Sequence, residues 1–179
     1  EIAVGCNRSI SKAATVTVTS NSTAITAQPQ AQSKCVGQSV TFSISATGGT
    51  GFQWRKNGVA ISGQTNATLN IPSVAIADTG TYSCDVLGGS CGTLSSAGAF
   101  LSVSAIPTPN VSGVNSGCAG KSVSLTATGG GTYAWSNGGG TNATATFNPT
   151  QTTTYTVTVS VGANCTATAT KTVSILQPS

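Results

Sequence analysis

CVGQSVTF at residues 35–42 returns as CAGKSVSL at residues 118–125, and this recurrence organises the chain. Each copy is followed by small residues and a glycine-rich turn, Gly48-Gly49 in the first and Gly129-Gly130-Gly131 in the second. An aromatic-x-Trp segment comes next, Phe52-Gln53-Trp54 and then Tyr133-Ala134-Trp135. Further on, TYSCDV at 81–86 matches TYTVTV at 154–159, and a cysteine after a short glycine-containing turn, Cys91 or Cys165, opens a last segment. Within these segments apolar and hydroxyl residues alternate: Val40, Phe42 and Ile44 against Thr41 and Ser43, or Val157 and Val159 against Thr158. A period of two marks strands with one buried face, and Thr and Val favour strands. No stretch sustains a helical period. The fold class that follows is all-β, built from repeated strand-rich units.

Two complete units are expected near residues 24–105 and 106–179, with one joint at SNSTAITAQPQ leading into the first and another at SAIPTPN between them, whose prolines and small polar residues suit short linkers. The interval from Trp135 to Tyr155 is shorter than that from Trp54 to Tyr82 by about one strand and a turn. The second unit is therefore expected to lack an edge strand. Cys6 stands to Val18 as Cys91 stands to Val103. Residues 1–19 thus read as the terminal hairpin of a preceding unit, or as an arm donated as a strand to a neighbouring subunit.

GQSVTFSI, FQWRKNG and ADTGTYSCDV together resemble an immunoglobulin domain of the intermediate set. The resemblance implies that Trp54 is the central core residue, Tyr82 the tyrosine-corner residue, and Cys84 the later of two cysteines that usually bridge the sheets. Ile44 occupies the place of the earlier one. That bridge is therefore expected to be absent, with Cys84 buried as a small apolar group. The second unit, with Trp135, Tyr155 and its own cysteine pair, is similar to the immunoglobulin-like and PKD-like repeats of giant bacterial adhesins. This implies tandem immunoglobulin-like β-sandwiches in an extracellular, cell-surface adhesin or filament. The implied partners are neighbouring immunoglobulin-like domains or identical subunits packed head to tail. No surface ligand is specified, because this fold hosts many functions.

Six cysteines in a Thr-rich all-β chain suit an oxidising compartment. Cys35 and Cys91 hold the same repeat positions as Cys118 and Cys165, and the shorter unit keeps this pair while having no counterpart of Cys84. Cys35–Cys91 and Cys118–Cys165 are therefore the pairings expected first. An immunoglobulin-like topology opposes them, since it sets the two positions at opposite ends of a sandwich, beyond the roughly 7 Å that a disulfide spans between Cα atoms. The alternative joins Cys35 to Cys165 across the joint and leaves Cys6, Cys91 and Cys118 for neighbouring domains or subunits. Both pairings stand on the sequence. Cys6 and Cys84 are expected to be intersubunit or unpaired.

The chain holds no histidine, and its three carboxylates are Glu1, Asp78 and Asp85. Paired-carboxylate catalysis, a Ser-His-Asp triad, a Cys-His pair and a zinc or calcium centre all lack their parts. No enzyme and no cofactor are expected. The seven cations are scattered, with only Arg55 and Lys56 adjacent, so there is no nucleic-acid patch. No apolar run approaches the ~20 residues of a membrane span. A structural or adhesive array is the leading function. The alternative is a carbohydrate-binding accessory module of a secreted enzyme, which would need exposed aromatic platforms. Phe52, Phe100, Tyr133 and Phe147 are the aromatics left for that role.

Overall fold

The alternating segments form strands that close into two successive two-sheet sandwiches in the computed structural model, which describes residues 22–88, 92–162 and 165–176. The first contains β1 (Ala24–Ala27), β2 (Gln32–Cys35), β3 (Val40–Ser43), β4 (Ser45–Thr47), β5 (Gly51–Lys56), β6 (Val59–Ala60), β7 (Thr68–Ile71), β8 (Gly80–Leu87), β9 (Thr93–Ser95) and β10 (Ala99–Ser104). One layer is made by two separate two-stranded pairings, β1 on β4 and β3 on β7; the other is a single sheet that runs β2-β10-β8-β5-β6, with β9 also on β8. The N-terminal strand is split around Pro29, so β1 pairs antiparallel in one sheet while β2 pairs parallel with β10 in the other. The β5–β6 hairpin turns on Asn57-Gly58, both at positive φ, the sequence that a two-residue turn matched to strand twist requires.

The second sandwich repeats this plan with β11 (Asn110–Gly113), β12 (Ser116–Cys118), β13 (Val123–Thr128), β14 (Thr132–Trp135), β15 (Thr144–Phe147), β16 (Thr153–Val161) and β17 (Cys165–Leu176). Its sheets are β11-β13-β15 and β12-β17-β16-β14, and β12 again pairs parallel with the last strand. Among the described residues it has no counterpart of β6, so β14 is the edge of its sheet.

Each sandwich has its own core. Val40, Phe42, Ile44, Trp54, Leu69, Tyr82, Cys84 and Leu101 are buried in the first, and Val123, Leu125, Trp135, Phe147, Tyr155 and Val157 in the second. Both indoles solve the same problem, an N–H carried into an apolar interior. Trp54 Nε1 donates to the Asn66 carbonyl at 2.9 Å, and Trp135 Nε1 donates to the Asn142 carbonyl at 2.9 Å. Tyr82 donates its hydroxyl to the Asp78 carbonyl at 2.9 Å, which pins the turn before β8.

The aromatic partner is supplied differently in the two cores. In the first, Phe42 of β3 stacks on Tyr82 with ring centroids 4.9 Å apart. The repeat puts Leu125 at that position in the second, and the space is filled from β15 instead: Phe147 stacks on Tyr155 at 3.9 Å and meets Trp135 edge-on. Phe147 is thus a core residue rather than an exposed aromatic. Truncation at Trp54, Trp135 or Phe147 to Ala is expected to cost about 3–5 kcal/mol in the sandwich that holds it. Urea unfolding followed by fluorescence measures this; a loss under about 1 kcal/mol for Phe147→Ala would mean that its ring does not complete the second core.

Candidate functional site at the joint between the sandwiches

The last residues of β2 and β10 lie side by side, with Cys35 opposite Ser104 in the parallel pair and Val36 N–H donating to the Ser104 carbonyl at 3.0 Å. Ser104 ends the first sandwich, so the chain leaves for the second from the flank of Cys35. On the other side, β16 reaches Val161, turns, and returns as β17 beginning at Cys165, which pairs with Val161. Gly162, just after β16, faces Ser104. Gly162 sits at φ 55, and a Cβ there would collide with the Ser104 side chain, so the close approach demands glycine.

Across this contact Cys35 and Cys165 form a disulfide, with Cα atoms 5.5 Å apart and 130 residues between them in sequence. Both are buried, at 6% and 1% exposure. Cys165 Sγ also lies 3.9 Å from the Ser104 carbonyl oxygen; the bonded sulfur carries no proton, so this is packing rather than a hydrogen bond. The linker contributes Pro107, which is buried at the joint, and Pro109. Two covalent strands, the linker and the bridge, therefore connect the sandwiches.

This pairing corrects the expectation of Cys35–Cys91 and Cys118–Cys165. Cys118 lies opposite Leu176, at the far end of β17 from Cys165. That strand is 12 residues long, about 36 Å at ~3.3 Å per residue. No disulfide spans such a distance. Cys91 lies outside the described residues, and Cys35 is already bonded to Cys165. The topological objection raised on the sequence therefore decides the matter. Cys6 and the segment 1–19 lie outside the described residues.

The other chemically capable groups are held in structural work. Asp85 is buried and accepts from Arg55 Nε at 2.6 Å and from the Ser95 hydroxyl at 2.6 Å. Asp78 accepts from the Ala75 N–H at 2.8 Å and faces Lys56 Nζ at 3.8 Å. Cys84 is fully buried opposite Trp54, and desolvation pushes its thiol up to about 11; the Gln53 backbone partly opposes this, and the Asp85 charge adds a lesser upward push. It is an inert thiol at neutral pH, and it shares the first core with Ile44. Among the described residues no cluster of His, Cys, Asp or Glu could hold a metal, and no helix is long and apolar enough to cross a membrane. Phe52 and Tyr133 are half-buried against the cores, and of the aromatics only Phe100 is exposed.

Comparison with known proteins follows the same lines. Residues 24–86 match the family described as immunoglobulin domain. No curated protein sequence matches the chain. Among solved structures, an I-band fragment of titin is similar over 86% of this chain and 65% of its own length, with 18% identity and a TM-score of 0.60. Immunoglobulin domains of Sidekick-1 are similar over 86% of this chain and 39% of theirs, with 18% identity and a TM-score of 0.60. The chain thus spans less than two thirds of either. At this identity the likeness concerns the fold, and with the strand order described above it makes the chain a tandem of immunoglobulin-like β-sandwiches.

Two outcomes test the joint and its surroundings. Peptide mapping of the unreduced protein is expected to recover Cys35 linked to Cys165, with Cys84 alkylated only after unfolding. Acid stability reports on Asp85. Burial pushes its carboxyl up, but the Ser95 hydroxyl and the Arg55 guanidinium outweigh this and leave it below its ordinary value of 3.8. A depressed carboxyl contributes stability that is present above the unfolded value and is lost as pH falls through the folded one. Asp85→Asn is expected to flatten the stability profile between about pH 4 and pH 2, measured by urea unfolding across that range.

Proposed function

We propose that this chain is a non-catalytic structural segment of an extracellular, cell-surface array, in which immunoglobulin-like sandwiches are set end to end and their joints are fixed covalently. The observation that carries this reading is the Cys35–Cys165 bridge, which joins two domains rather than stapling either one. A protein that needed only domain stability would gain it from a bridge within the domain. A bridge between consecutive domains restricts their relative motion, which matters for a stalk or filament that transmits force or holds a distal part away from a surface. Closing a loop of 130 residues also removes about 4–5 kcal/mol of chain entropy from the unfolded state.

The chemistry of the surface supports the same reading. Disulfides persist in oxidising compartments, which favours an extracellular location. With no histidine in the sequence and Asp78 and Asp85 both engaged, no carboxylate or imidazole among the described residues is left to serve as a general acid or base near neutral pH. A sugar-binding accessory role has little support, because Trp54, Trp135, Tyr82 and Tyr155 are buried and a lone exposed Phe100 makes no platform. The kinship with bacterial surface adhesins and filaments belongs to this proposal, as does the place of residues 1–19 as the closing hairpin or donated strand of a neighbouring unit.

Distance measurement across the joint tests the proposal. Spin labels at an exposed position in each sandwich, for instance Thr41 and Thr144, are expected to give one narrow distance distribution in the oxidised protein. In the double variant Cys35→Ser/Cys165→Ser, both sandwiches should stay folded while the distribution broadens severalfold. Equal widths with and without the bridge would mean that it does not set the joint, and the structural reading would lose its basis.

A further inference from the structure

The second sandwich carries, at its outer end, an unoccupied copy of the half-joint that the first sandwich uses. Cys35 ends β2 opposite Ser104, and Cys118 ends β12 opposite Leu176, in parallel pairs of the same register. The residues that follow make the same turn. Gln38 N–H donates to the Cys35 carbonyl at 3.0 Å, and Lys121 N–H donates to the Cys118 carbonyl at 3.1 Å. Gly37 stands at φ 87 and Gly120 at φ 72. Each glycine donates its N–H at 2.8 Å to a carbonyl of the segment crossing between the sheets, Val74 in one case and Pro149 in the other. The two cysteines differ in state: Cys35 is buried in a bond to the next domain, whereas Cys118 is a free, exposed thiol beside an exposed Leu176.

We infer that Cys118 is the attachment point for a further repeat of this kind, bonding to the cysteine that opens that repeat's last strand as Cys35 bonds to Cys165. The inference rests on the array reading and extends it from one joint to a rule. Each repeat presents a forward cysteine at the end of its short parallel strand, as Cys35 and Cys118 are, and a backward cysteine, at the position of Cys165, at the start of its last strand. By repeat position Cys91 and Cys6 belong to the backward class. The partner is thus defined chemically: an immunoglobulin-like unit whose incoming turn carries a thiol and a glycine where Gly162 clears Ser104. Bond formation is an oxidation. Cys118 and the incoming cysteine lose two protons and two electrons to a small disulfide such as oxidised glutathione, which departs as two thiols. Burial of Leu176 beneath the incoming turn would add to the contact, since the residue is 60% exposed without it.

The test uses the chain to Leu176 followed by a second copy of residues 105–179, which preserves the register between Ser104 and the linker. After oxidation by glutathione disulfide, unreduced peptide mapping is expected to recover Cys118 linked to Cys165 of the appended copy. Maleimide labelling of Cys118 should fall at least tenfold relative to the unfused chain. A second fusion, with linker residues 105–109 and then residues 22–104 appended, presents Cys91 to the same thiol and covers the case in which the first appended unit does not fold. Cys118 that stays reactive in both fusions, while Cys35–Cys165 is recovered from the same digests, overturns the inference and leaves the array reading intact. Loss of Cys35–Cys165 as well would overturn both.

Discussion

A covalent bond between residues that are 130 positions apart in sequence governs how this molecule is put together. It can form only because the first strand of the leading sandwich divides. Had β1 and β2 run on as one strand of one sheet, Cys35 would lie on the wrong layer. Instead β2 crosses to pair in parallel with β10 and brings Cys35 to the flank of Ser104, where the chain departs. In the following sandwich the β16–β17 turn must fold back toward that same point, and Gly162 allows the approach. Linker, strand switch and turn are thus parts of one device.

The two cores share a plan and differ in how they fill it. A buried indole tied to a backbone carbonyl occupies the centre of both. Around it, Phe42 reaches in from β3 in the first, whereas Leu125 at the matching position leaves room that Phe147 of β15 takes. Among the described residues the second sandwich also does without the strand that β6 provides and without the short 3-10 turn, Ile76–Asp78, that precedes β8 in the first. Packing of this kind holds total volume and pattern while exchanging the source of each ring.

Much of this was legible in the sequence, because the repeat and the period-two alternation report directly on which side chains share a buried face. Trp54, Trp135, Tyr82, Cys84 and Ile44 could be placed in cores from those patterns. Phe147 could not, since its burial depends on a vacancy created by Leu125 on a different strand, and nothing local to residue 147 signals it. The cysteines illustrate the same limit. Repeat position shows that Cys35 and Cys91 travel together, and it says nothing about distance. Pairing is decided by the length of β17, which sets Cys118 and Cys165 at opposite ends of the second sandwich, and by the joint that brings Cys165 to Cys35. Gly162 was visible as a turn glycine, but its role in meeting Ser104 belongs to the joint and could be read only in three dimensions.

Mechanical extension provides the most direct measurement of the central claim that a bridge between domains fixes the joint. Pulled between residues 22 and 176, the oxidised chain should withhold the length sequestered between Cys35 and Cys165 even after both sandwiches unfold. Adding a thiol reductant should then release one increment of about 450 Å, from 130 residues at up to ~3.5 Å each. Two shorter increments, one from each sandwich, would indicate bridges within the domains. Full extension without reductant would indicate none, and either result would contradict the account.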